Sequence, residues 1–185
     1  VIGSLPEVLE VGGQHIAINA DFRNILTIFE AYGDNALTDE EKVYICLARL
    51  YTAPVPYYHI EEAIQQAMWF LQGGDMPMSK AEDVPIIDWK HDEAIIMPAV
   101  SKALNVIDIR SIPFLHWWTF LGSFGEVGEG LLSTVLHIRQ SKAKGKKLSK
   151  TEEEFFRKNK DLCQLRSAEE QAAIDETEDF LKTLI

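Results

Sequence analysis

Three places in the chain carry residue types that could do chemistry. Asp88, His91 and Asp92 stand together in "DWKHDE", where one helical turn would gather two carboxylates and an imidazole. His59 and Glu62 form a second pair at one-turn spacing, and His116 lies alone inside "IPFLHWWTFLGSF". The first two invite a metal reading and the third a catalytic one. Each also has a plain structural reading. A di-iron bundle needs paired Glu-x-x-His motifs and two further glutamates, whereas the pairs here run His59-x-x-Glu62 and Asp88-x-x-His91. Asp88 is therefore expected to cap a helix, Asp92 and Glu93 to favour its N-terminal dipole, and His91 to be solvated. His116 is expected to be hydrogen-bonded within the core, since no partner for catalysis is identifiable. No catalytic residue, metal ligand or cofactor is assigned.

Other chemical signatures are missing or broken. No GxSxG elbow occurs, so acyl transfer has no local support. "GSFGEVGEG" holds Gly122, Gly125, Gly128 and Gly130, but not in the order of a dinucleotide fingerprint. No strand precedes it, and Glu126 and Glu129 would repel phosphate. It reads as a helix-ending loop. The charge argues the same way: 29 acidic against 18 basic residues give a formal net charge of −11. Nucleic-acid binding needs clustered lysine and arginine, so no nucleic-acid partner is expected. The one basic run, "RQSKAKGKKLSK" at residues 139–150, has five lysines without interleaved aromatics and reads as a solvated loop. No apolar run reaches the roughly 18–20 residues that span a bilayer, so no membrane partner is expected either. Cys46 and Cys163 lie far apart without CxxC spacing; free thiols and a reducing cytoplasm fit best.

The elements that would position these residues are mostly helical. In "EVLEVGGQHIAIN", residues 7–19, apolar residues alternate about Gly12-Gly13, which predicts a hairpin. A lone hairpin is marginal in water, so it must lie on helices or pair with another chain. Phe22, Ile25, Leu26 and Phe29 repeat at helical spacing up to Gly33, and Thr38 with Glu41 forms a capping-box pattern for the next helix. Ile60, Ile64, Ala67, Met68 and Leu71 mark a third, ended by Gly73-Gly74. The polar stretch 75–86 is expected to be a mobile connection. Asp88 then opens a helix that contains Pro98, and Pro113 is placed in the first turn of the aromatic helix. Ser149 and Glu152 predict a further capped helix to about Leu165, followed by an acidic helical tail. At 185 residues one domain suffices. The expected fold is mainly α: a helical domain with the hairpin at 1–138, a basic loop at 139–150 and a charged C-terminal helical tail at 151–185.

The aromatic stretch 112–124 holds two of the four tryptophans and three phenylalanines. Its apolar residues point nearly all round a helix, so it is enclosed or shares one face with another molecule. Each buried ring removes roughly 150–250 Å² from water. At about 25 cal/mol per Å² that is about 4–6 kcal/mol gross per ring, so the segment belongs in the core, at an interface, or both.

Four patches in this order, "INADFRNILTIFEAY", "DWKHDEAIIMPAV", "IPFLHWWTFLGSF" and "HIRQ" followed by the basic stretch, resemble a family of short phage proteins. Its members are encoded ahead of the tape-measure gene in long-tailed phages and prophages of Gram-positive bacteria. The resemblance spans about Ile16 to Leu165. It implies a non-enzymatic tail assembly chaperone in the bacterial host cytoplasm, coating the apolar helical tape-measure protein until tail-tube subunits displace it. A holdase of that kind needs an apolar lining, and Phe114, Trp117, Trp118, Phe120, Met68, Trp69 and Trp89, with Phe70, are the residues expected to supply it. Self-association along a long client is expected too. A structural tail component of the virion, an adaptor using residues 139–150, and an enzyme with a dispersed site are the alternatives.

Overall fold

The computed structural model describes residues 3–74 and 86–165. Strands β1 (Val8–Val11) and β2 (Gln14–Ala17) pair antiparallel, with Leu9 opposite Ile16. The turn between them is Gly12-Gly13, both at positive φ (60° and 72°), the geometry that matches strand twist in a two-residue hairpin. Leu9, Val11, Ile16 and Ile18 are buried on one face, as their alternation requires, and β1 packs on helix α3 (Ile60–Leu71). The hairpin tip is tied there as well: the Gly12 N–H donates to Glu62 at 2.8 Å, and His59 lies close above Gly12. A β-carbon at Gly12 would come within 2.3–2.7 Å of the His59 ring. Gly12→Ala therefore meets a strained φ and a clash together. It is expected to lower stability by about 1–2 kcal/mol in denaturant unfolding, while Gly13→Ala, which meets the φ strain without a clash, costs less.

Helix α1 (Phe22–Gly33) buries Phe22, Ile25, Leu26 and Ile28. Asp21 caps it, accepting from the Arg23 N–H at 3.0 Å. Helix α2 (Asp39–Leu50) starts with the expected capping box: the Thr38 hydroxyl accepts from the Glu41 N–H and the Glu41 carboxylate accepts from the Thr38 N–H. Those two bonds hold the Glu41 carboxyl below the usual range. Helix α3 ends at Gly73 and Gly74, both at positive φ. Helix α4 (Glu93–Ala103) runs through Pro98, which is exposed and leaves the helix continuous.

The aromatic helix α5 (Trp117–Gly125) starts four residues later than the position of Pro113 implies. The cause is tertiary. The Phe22 N–H donates to the Leu115 carbonyl at 2.9 Å and the Trp117 N–H to the Ala20 carbonyl at 2.7 Å, so Leu115 and His116 are held out of the helix against the entry to α1. His116 becomes the cap. Its Nδ1 accepts from the Trp118 N–H at 3.0 Å, and its Nε2 donates to the Pro6 carbonyl at 3.0 Å. The expected buried, bonded histidine is what the fold contains.

Helix α6 (Leu131–Ala143) carries the start of the basic run, so residues 139–143 are helical and not loop. Ser149 caps α7 (Lys150–Lys158) in the expected box with Glu152. The helix breaks at Asn159 before the short α8 (Lys160–Cys163), where the sequence pattern predicts continuity to about Leu165. The Asn159 side chain donates back to the Phe155 carbonyl at 2.9 Å, competing with the helical ladder. Cys46 and Cys163 are buried free thiols, both pushed up by burial. The expected mobile connection at 75–86 and the acidic tail beyond Leu165 fall largely outside the described residues.

Candidate functional site

The fold divides the aromatic set in two. Trp117 and Phe120 are completely enclosed. Phe120 stacks on Phe22 (4.9 Å between centroids) and on Trp117 (5.5 Å), and Trp89 fills the space between Trp117, Phe120, Phe124 and Phe29. These three rings are core or core-backing side chains. The expectation that Trp117 and Phe120 line a contact surface is corrected by their burial: they sit on the face of α5 that meets α1 and α4. Phe70 is likewise enclosed.

Of the remaining residues, Trp118, Trp69 and Phe114 form an outward ledge, and Met68 is exposed on α3. Trp118 and Trp69 pack edge to face at 5.2 Å and are half-buried; Phe114, joined to Trp118 through His116, is 56% exposed, and Met68 is 38% exposed. The ledge has a rigid base. Trp117 Nε1 donates to the Leu71 carbonyl at 2.9 Å and Trp118 Nε1 to the Phe70 carbonyl at 2.8 Å. Those carbonyls belong to the last turn of α3; the Phe70 carbonyl also accepts from the Gly73 N–H at 3.1 Å, and the Trp117 indole gives the Leu71 carbonyl a donor from outside the helix. Gly74 lies under the Trp118 ring, where an added β-carbon would approach to 3.0 Å.

The Asp88–His91–Asp92 group is also reassigned. Asp88, expected to cap α4, instead accepts from the His91 N–H at 2.9 Å in the turn before it, and the residue at the N-cap of α4 is Asp92. Asp92, expected at a solvated helix start, is fully buried and pairs with Arg139 through two bonds, Nη1–Oδ2 at 2.5 Å and Nη2–Oδ1 at 2.8 Å. His91, expected in solvent, has its side chain only 8% exposed and its Nδ1 2.9 Å from Asp92. Arg139 further donates to the Ile86 carbonyl (2.9 Å) and the Leu162 carbonyl (2.7 Å), tying α4, α6 and α8 at one point. Arg139 was assigned by composition to the solvated basic run, yet it falls seven residues after Leu132 and four after Val135, on the buried stripe of α6. That spacing is the signal that marks it as internal.

Among the described residues, no group of three or more histidine, cysteine, aspartate or glutamate side chains is arranged to hold a metal. A cavity of about 320 Å³ lies between α1 and α4, with Arg23, Glu30, Glu93 and Arg110 at its walls. Its arginines are committed, Arg23 to Asp21 and Arg110 to Asp108, and burial raises the Glu30 carboxyl. His59 and Glu62 serve the hairpin tip. No helix among the described residues is long and apolar enough to cross a membrane. These polar side chains thus serve the fold, and one outward apolar feature is an aromatic ledge on a firm base.

Comparison with curated proteins and with solved structures finds no match to this chain. Comparison with protein families does, over residues 1–165, a span that takes in every described residue. The family is described as Bacteriophage Gp15 protein, and the chain belongs to it.

Proposed function

We propose that this protein is a phage tail assembly chaperone, acting without bond chemistry on the apolar helical tape-measure protein in the host cytoplasm before the tail tube polymerises. The observation that carries this reading is the ledge of Phe114, Trp118 and Trp69 in a member of a bacteriophage family. Exposed aromatic and methionine side chains adapt to many apolar helices, and the surplus of acidic residues keeps a loaded complex apart from its neighbours. Copies on a long client associate through the outer edge of the hairpin or the C-terminal segment, and tail-tube subunits later take their place.

The test is co-expression with the tape-measure protein encoded beside it. The client should become soluble and co-purify, and the chaperone should be missing from mature particles analysed by mass spectrometry. Stoichiometric recovery in particles would instead make it a structural component. A client that stays insoluble would remove the chaperone reading, and strictly monomeric light scattering at high concentration would remove the self-association.

A further inference from the structure

The end of α6 and the connection after it carry Lys142, Lys144, Lys146, Lys147 and Lys150, all exposed, with no acidic residue among them. None of the five has an ion-pair partner among the described residues. Residues 142–160, which include α7, hold eight basic and three acidic side chains, a surplus of five. Glu152 is one of the three acids, and its capping box and His137 already engage it. The same surface has an apolar part. Leu148, Phe155 and Phe156 are half-buried, α7 has no fully buried residue, and Lys142 Nζ lies 3.4 Å from the centroid of the Phe156 ring. Crowded like charges beside incompletely covered rings favour an acidic, partly apolar occupant.

Such an occupant follows in the same chain. Residues 167–185 hold six acidic side chains and one basic, a deficit of five that equals the surplus on the surface. Ile174, Phe180 and Leu181 are interspersed among those acids. The described chain also leads to the right place. Arg139 donates to the Leu162 carbonyl at 2.7 Å, which fixes α8 against α6 about one turn before Lys142. Burial pushes the Cys163 thiol up while the charges of Arg139 and Lys142 oppose that push, so the basic end of α6 lies near α8. Glu169 comes seven residues after Leu162, a reach of at most about 25 Å. A segment joined this closely meets its site at an effective concentration on the order of 1 mM, which the segment of another copy matches only in millimolar protein.

We propose that segment 167–185 docks on the basic surface of its own chain, with its carboxylates on the lysines of residues 142–150 and its apolar side chains against Phe155 and Phe156. Docked there, it closes to anionic polymers a surface that would otherwise attract them. The inference does not depend on the chaperone reading. It bears on self-association all the same, because a segment held within its own chain leaves the hairpin edge as the route by which copies meet.

Full-length isotope-labelled protein carrying a nitroxide at Glu178→Cys tests this. Cys46 and Cys163 are buried, so the added thiol takes the label. Amide signals of residues 142–158 should broaden. A mixture of isotope-labelled wild type with unlabelled nitroxide protein should show no such broadening. Changing Lys144, Lys146 and Lys147 to Glu should abolish it, as should salt at about 1 M, where the Debye length is about 3 Å. Those three positions are exposed, so an unchanged melting curve will show that the variant is folded. Adding Glu170→Lys, Glu176→Lys and Asp179→Lys to that variant should bring the broadening back, which a merely structural role of the lysines would not do. Single-stranded oligothymidine is the competing probe. It should bind at least about tenfold tighter once the six carboxylates are changed to their amides, as expected when the closed form is about nine-tenths populated. Absence of broadening at 142–158, broadening that survives the lysine changes, or broadening in the mixture, which would make a second copy the occupant, would each overturn the proposal. So would oligothymidine bound equally by wild type and the amide variant, which would make the surface an open site for anionic polymers.

Discussion

Arg139→Ala is expected to lower stability by about 3–5 kcal/mol, because it leaves the fully buried Asp92 carboxylate without its counter-charge. In a chain of this size that is a fall in melting temperature of about 10 °C. The loss should exceed the pair's own net worth, since two buried charges in contact barely repay their desolvation. Arg139→Met combined with Asp92→Leu is therefore expected to be less destabilised than Arg139→Ala alone. Arg139→Lys should fall near the alanine variant. A point-like ammonium cannot reach both Asp92 oxygens and the carbonyls of Ile86 and Leu162 together. Thermal melts of the four proteins decide the matter; an Arg139→Ala protein as stable as wild type would mean that water reaches Asp92 freely.

The second large effect separates the two halves of the aromatic set. Trp117→Ala should cost about 3–5 kcal/mol, through the cavity left among Phe29, Trp89 and Phe120 and the loss of the bond to the Leu71 carbonyl. Phe114→Ala, at a side chain more than half in water, should change stability by less than about 0.5 kcal/mol. Client retention should show the reverse sensitivity: Phe114→Ala folds and loses the client, and Trp117→Ala loses it only in proportion to unfolding. Measuring both unfolding and client recovery for each variant is essential, since a core lesion alone mimics a binding lesion. If Phe114→Ala holds its client fully, the ledge is not the contact.

Periodicity carried most of the architecture. The hairpin about Gly12-Gly13, the capping boxes at Thr38 and Ser149, and the helix stop at Gly73 are local devices with local signals, and each is present. The departures share one cause, contacts between distant segments. Pro113 is a good helix starter, but residues 115–117 bond to the entry of α1, and that pairing moves the start of α5 to Trp117. His91 and Asp92 resemble a solvated helix start until Arg139, 47 residues away, is brought over them. The site was only partly legible for the same reason. Composition could identify the aromatic stretch as too oily to leave wet, but a helix apolar on every side gives no phase. Only the packing of α5 against α1 and α4 distinguishes Trp117 and Phe120 from Phe114 and Trp118.

The paired indoles that finish α3 also bear on the order in which the chain assembles. The carbonyls of Met68, Trp69 and Phe70 accept locally from Gln72, Gly74 and Gly73, but the bond at the Leu71 carbonyl takes its donor from a residue 46 positions further on. Its completion waits for a long loop to close, a step whose entropic cost precedes any reward. The indole N–H of Trp117 should therefore acquire exchange protection together with α5, and later than the backbone amides of α3.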